Sequence, residues 1–113
     1  EASNLIATRK LSPVELTEAY LARSRKLGAR LNAYACLTPE RALQEARHAE
    51  KEIAAGKHRG PLHGIPYAAK DLLAARGYPT TWGARHFAGL GIVEHLMRRL
   101  QLVRVHFAVV VWW

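Results

Sequence analysis

A chain of 113 residues is long enough for one domain at most. Half of its residues are hydrophobic and 23% are charged, which excludes a disordered or low-complexity protein. Lys and Arg number 17 against 9 Asp and Glu, a net charge of +8; the last 23 residues hold three arginines and one glutamate, so the first 90 still carry +6. The basic excess is spread along the chain, which favours solubility and loose attraction to polyanions and says little about fold.

The single cysteine, Cys36, excludes an internal disulfide framework and fits a reducing cytosol. No basic-then-apolar signal segment opens the chain, which begins at Glu1 without a methionine and so reads as a fragment. The longest apolar run, Val105 to Trp113, is interrupted by His106 and is about half of the ~20 residues that a spanning helix needs. The expectation is a cytoplasmic protein with no membrane contact.

Taken in chain order, Ser3 to Lys10 suits a short helix carrying Leu5 and Ile6. Ser12-Pro13-Val14-Glu15 then spells a helix start: serine at the N-cap, proline at the first helical position, and glutamate completing a capping box. Leu16, Ala19, Tyr20, Leu27 and Leu31 recur near helical spacing, with Arg23, Arg25 and Lys26 mainly outward, and Gly28 is the expected stop. Asn32 to Thr38 is apolar-rich and bounded by turn formers, which predicts a strand. Thr38-Pro39 opens another helix with the apolar stripe Ala42, Leu43, Ala46, Ala49 and Ile53, ended by Gly56. Lys57 to Gly64 is a basic, glycine-rich connection, and Ile65 to Ala69 is predicted as a buried strand running into Lys70-Asp71. Gly77 to Gly83 reads as a loop. Ile92, Val93, Leu96, Met97, Leu100 and Val103 form a helical stripe, and Val105 to Trp113 is strand-like. Helix, strand, helix, strand, helix, strand is an α/β order, with no internal repeat.

Chemistry concentrates in Gly60-Pro61-Leu62-His63-Gly64-Ile65-Pro66-Tyr67-Ala68-Ala69-Lys70-Asp71. A lysine closing an apolar strand behind small residues is expected to be partly desolvated, which lowers an ammonium pKa and makes the amine a usable base. On pattern alone the plainer reading stands beside it: the strand ends here and Lys70 reaches solvent next to Asp71. The six histidines (48, 58, 63, 86, 95 and 106) show no metal-ligand spacing with the cysteine or with paired carboxylates, so no metal site and no cofactor is expected. Cys36 in a strand reads as an inert thiol. Lys57, His58 and Arg59 beside Gly60 read as a solvated loop, Arg98 and Arg99 as surface charge, and no nucleic-acid signature accompanies the basic excess.

Those twelve contiguous residues, followed by Gly77-Tyr78-Pro79-Thr80-Thr81-Trp82-Gly83, closely resemble the N-terminal region of the amidase signature family. Leu11 to Leu16, Leu31-Asn32-Ala33-Tyr34 and the Ala42-Leu43…Ala46 helix are similar to the same region, so the resemblance covers about residues 5 to 88. It implies an α/β fold: an N-terminal fragment of the mixed-sheet amidase signature fold, a partial domain over 1–113 whose last part, 89–113, is either a diverged helix and strand or a frame-shifted reading. It also implies a hydrolase cleaving carboxylic amide C–N bonds with a Ser–cis-Ser–Lys triad, in which Lys70 matches the base. In that mechanism neutral lysine relays a proton through a bridging serine to a nucleophilic serine, and backbone N–H groups hold the oxyanion. His63 falls in the motif with a backbone-positioning role. The partners implied are a small-molecule amide and the remainder of the amidase domain.

The departure from the family is in the serines. Only Ser3, Ser12 and Ser24 are present, all precede Lys70, and none lies in a glycine-rich turn. The expectation is a chain inactive alone. Two alternatives stand beside it: a piece of the tRNA-dependent amidotransferase component that carries the same amidase fold, and a small basic module for RNA or another polyanion, the latter predicting strongly salt-dependent binding.

Overall fold

The computed structural model describes residues 1–70 and the backbone of 109–112. The expected loop at Gly77–Gly83 and helix at 92–103 lie outside the described residues.

The chain opens with α1 (Ala2–Ala7), a single short helix whose Ile6 is buried. The capping box then forms as its residue types dictate. Val14 and Glu15 donate their backbone N–H groups to Ser12 Oγ at 3.0 and 3.3 Å, and Ser12 N–H donates to Glu15 Oε2 at 3.4 Å. From this cap runs α2 (Pro13–Arg23).

Two expectations about α2 are corrected. Its buried face is Pro13, Thr17 and Leu21, continuing through Ser24 and Gly28, whereas Ala19, Tyr20 and Leu31 are exposed. Thr17 can be buried because its hydroxyl donates to Pro13 O at 2.8 Å, which removes the cost of an unpaired polar group. Nor does Gly28 stop the helix. The chain passes through a π-helical turn (Ser24–Gly28) into α3 (Ala29–Leu31), and the stop is Asn32 in the left-handed conformation at φ 48°. Glycine is required at 28 for space: a Cβ there would lie 2.6 Å from Tyr34 Cδ2.

Next come β1 (Tyr34–Cys36) and α4 (Pro39–Ala54), the latter with proline at its first position and no side-chain cap from Thr38. Ala42, Ala46, Ala49 and Ile53 are buried, as the stripe predicts, and Leu43 is half-buried. The alanines let α4 approach α2 closely, and Leu21 and Ala42 form a cluster completed by Leu37 and Leu43. Burying a side chain such as Leu21 contributes about 2 kcal/mol. Gly56, at φ 78°, follows the helix end.

The sheet has the order β1-β3-β2. The third of these strands, β3 (Val109–Trp112), is central: antiparallel to β1 and parallel to β2 (Tyr67–Lys70), with Lys70 opposite Trp112. The sheet is therefore mixed. The predicted strand at Ile65–Ala69 shifts by two residues at its start and includes Lys70, and it is not buried throughout. Ala69 is buried while Ala68 and Lys70 are exposed, so β2 shows a covered face and an open one. Ala69 packs with Cys36 and Tyr67 in a second small cluster.

Candidate functional site

The site residue implied by the sequence, Lys70, is the last residue of β2. It sits at the carboxyl end of a strand that pairs in parallel with its neighbour. In α/β sheets, strand carboxyl ends are where side chains are presented to ligands, because the loops diverge there. The expected partial desolvation is not observed: Lys70 is exposed among the residues around it.

What delivers the chain into β2 is a loop with a built geometry. His63 N–H donates to Gly60 O at 3.0 Å and Ile65 N–H to Leu62 O at 3.1 Å, closing two successive turns. Gly64 adopts φ 81°, and a Cβ on it would meet Pro13 Cγ at 2.9 Å and Ile6 Cγ2 at 3.5 Å. The loop is thus seated against α1 and the first turn of α2, which only glycine permits.

His63 is 5% exposed and anchors the same loop to α4. Its Nδ1 accepts the Arg59 backbone N–H at 3.3 Å, and its Nε2 lies 3.2 Å from Glu52 Oε2. The other carboxylate oxygen, Oε1, takes the Arg59 guanidinium and lies 3.6 Å from His48 Nε2. The Arg59 hydrogen bond, above all, holds the Glu52 carboxyl below its ordinary pKa, with desolvation opposing it and the charges of Arg59, His48 and His63 assisting. Burial pushes the His63 pKa down, and it outweighs the attraction of Glu52 for the imidazolium. The His63 ring faces that of His58 at 5.8 Å between centroids. This arrangement matches the backbone-positioning role expected for His63. The Glu52 and Arg59 anchors are not evident in the sequence, since Glu52 reads there as one more polar residue on α4.

The serines occupy structural positions. Ser12 Oγ accepts two backbone N–H groups and donates to Glu50 Oε1 at 2.5 Å, which ties the start of α2 to α4. Ser24 Oγ donates to Tyr34 Oη at 3.1 Å. Ser3 lies in α1. None of the three closes a strand beside Lys70. A cleft of about 250 Å³ opens between Arg9, Ser12, Glu15 and Glu50, but its only hydroxyl nucleophile is this fully engaged Ser12. Arg9, at its rim, donates to the Ile53 and Ala54 carbonyls at 3.3 and 3.0 Å and so caps the end of α4. Among the described residues no group of three or more His, Cys, Asp or Glu side chains is arranged to hold a metal ion, and no helix is long and apolar enough to cross a membrane.

Paired helices beside a mixed sheet, with a glycine-rich loop feeding a strand that ends in lysine, define an α/β fragment. Residues 15–90 match the Amidase family. The chain is 42% identical over 85 residues to a glutamyl-tRNA(Gln) amidotransferase component, the GatA-type polypeptide of Methylobacillus flagellatus, covering 75% of this chain and 17% of that protein. It is also 42% identical over 87 residues to the putative amidase AmiD of Mycobacterium tuberculosis, covering 77% and 18% respectively. Among solved structures, the peptide amidase of Stenotrophomonas maltophilia superimposes with a TM-score of 0.73 at 33% identity over 96% of this chain and 22% of that one. The chain belongs to the amidase signature family, to whose N-terminal region it corresponds, and it spans less than a fifth of the length of these curated relatives.

Proposed function

We propose that the chain is the N-terminal part of an amidase signature hydrolase and that Lys70 is the base of its Ser–cis-Ser–Lys triad. The observation that carries this reading is the place of Lys70: it lies at the carboxyl end of β2, inside the matched region, at the motif position where the family has its lysine. Its amine, when neutral, takes a proton from a bridging serine, which takes one from the nucleophile. The nucleophilic oxygen then attacks the amide carbonyl, the amine or ammonia leaves, and water or another acceptor receives the acyl group.

The 113 residues supply the base and no nucleophile, because Ser12 and Ser24 are committed to a helix cap and to Tyr34, and Ser3 belongs to the first helix. Incubating the chain with simple amides should release no ammonia above background. Ammonia release that disappears in Lys70→Ala would overturn this. Supplying the remaining part of an amidase signature protein by co-expression should restore hydrolysis with wild-type Lys70 and not with Lys70→Ala.

A second reading is supported by the relatives: proteins named as glutamyl-tRNA(Gln) amidotransferase components and as amidases match at the same 42% identity. In it, the same triad would release ammonia for transfer to a misacylated tRNA. Dependence of the reconstituted activity on a tRNA-bound acceptor separates the two.

A further inference from the structure

Folding sorts the basic residues that the sequence spreads along the chain. Arg9 donates to the carbonyls that end α4, Arg41 pairs with Glu45, and Arg59 pairs with Glu52. Arg23, Arg25, Lys26 and Arg30 are exposed and have no hydrogen-bond or ion-pair partner among the described residues. We propose that the outward face of the helical run from Tyr20 to Leu31 is a docking surface for single-stranded nucleic acid, with Arg23, Lys26 and Arg30 on the phosphates and Tyr20 under a base. Nothing in this surface involves Lys70 or the triad.

The column follows from which face the core takes. Pro13, Thr17, Leu21, Ser24 and Gly28 turn inward, so the opposite side of the run stays in solvent. Arg23, Lys26 and Arg30, three and four residues apart, are neighbours along that side and span about 10 Å of helix. That is the reach of two or three successive phosphates of one strand. Arg25 stands on the flank. Tyr20, 55% exposed, lies one turn ahead of Arg23, and Leu31, 73% exposed, directly follows Arg30. A single strand can use an aromatic ring at the head of a cationic column: its phosphates take the charges and an unpaired base stacks on the ring.

Neither the helix dipole nor ordinary solvation accounts for this column. Cations in the last turn of a helix complement its dipole, but the run continues to Leu31, which leaves Arg23 and Lys26 ahead of the last turn. Solvated charge is normally mixed in sign, as on α4, where Arg47 and Lys51 alternate with Glu45, Glu50 and Glu52. From Ala19 to Pro39 there are four Lys and Arg and no Asp or Glu, so the positive field is not cancelled locally. The chemistry of the partner follows. A lipid surface needs an apolar helix face, and the one here is turned into the core. An acidic peptide helix needs an apolar groove, whereas Tyr20 and Leu31 stand apart at opposite ends of the column.

The experiment is fluorescence anisotropy with a labelled oligouridylate and the full chain, from about 50 to 200 mM salt. Three exposed cations are neutralised in two ways that leave the same net charge: Arg23→Gln with Lys26→Gln and Arg30→Gln, or Arg47→Gln with Lys51→Gln and Lys57→Gln. The first set should lower affinity by about tenfold or more at the lowest salt and flatten the slope of log K against log salt by about 2. The second should leave both close to wild type. Tyr20→Ala should weaken binding about fivefold or more, and Tyr20→Phe should not.

Equal losses from the two sets would overturn the proposal, because net charge alone would then account for binding. So would binding that ignores salt, or no binding at the lowest salt. Poly-glutamate or phosphatidylserine vesicles that compete as well as unlabelled oligouridylate would also overturn it, by showing an acidic protein or a membrane to be the partner. Should the first triple variant not fold, Arg23→Gln and Lys26→Gln singly, each flattening the slope by about 1, decide instead. Lys70→Ala should bind as wild type does, so failure of the triad reading and failure of this surface are separate results.

Discussion

The helical pair α2 and α4 and the segment from Lys57 to Lys70 are held by different means. The helices are specified locally and joined by small side chains: a complete capping box at Ser12, alanines at three turns of α4, and Ser12 Oγ bridging to Glu50. The 57–70 segment contributes only His63 and Ala69 to the interior and depends on contacts from elsewhere: Pro13 and Ile6 under Gly64, Glu52 under His63, β3 beside β2. The local helix signals and the alanine stripe therefore lie in the first region, and the second carries the strand end at which Lys70 is proposed to act. Positioning residues for such a site belong in its supporting loop, because the loop is what the helices can hold.

The comparison is sharpest at Lys70 itself. In a reconstituted amidase Lys70→Ala should lower kcat by about 10²–10⁴-fold, the usual contribution of a general base. The melting temperature of the chain should hardly move, since the side chain is exposed. A large loss of stability would place Lys70 in the structural region instead. Next in size is Gly64→Ala, which must adopt a left-handed φ and push its methyl onto Pro13. Denaturant titration should show a loss of about 1–3 kcal/mol. A neutral result would mean that the loop is not seated on α2.

Within the helical region, Ser12→Ala removes the acceptor of two N–H groups and the bridge to Glu50, and should cost about 1 kcal/mol by the same titration. The acid limb is set by His63. Its pKa lies below the ordinary 6.5, so the unfolded chain takes up the proton first. The stability it contributes is complete above about pH 6.5 and is lost as pH falls toward its folded value. Glu52, also lowered, adds a second loss that begins near its ordinary 4.5. Thermal melts from pH 7.5 to 4 should show the first limb vanish in His63→Asn while the second remains. The smallest effect belongs to Arg41→Ala, which breaks a half-buried pair with Glu45 at 3.9 Å on one helix face and should cost about a few tenths of a kcal/mol.

Residue types with strong local rules were legible without coordinates. Ser12, Pro13 and Glu15 define their cap by chemistry that acts within one turn, and the alanine stripe of α4 follows from a 3.6-residue period. The twelve-residue run from Gly60 to Asp71 identified the family and, with it, the lysine. Hydropathy misled along α2, because Thr17 satisfies its own hydroxyl and can be buried where Tyr20 is not. Gly28 misled for a related reason: glycine serves there to admit the Tyr34 ring, and the helix stop passes to Asn32.

By itself, then, the sequence determined where helices begin, which family the chain joins, and that no serine follows Lys70 within these 113 residues. Only the tertiary structure decided that β3 lies between β1 and β2, that Lys70 ends a parallel-paired strand, and that Glu52 and His63 meet. The physical reason is range. Caps and periodicity are fixed by neighbours within a few residues, whereas strand order and the burial of His63 depend on segments 11 to 78 residues apart, which local rules do not encode.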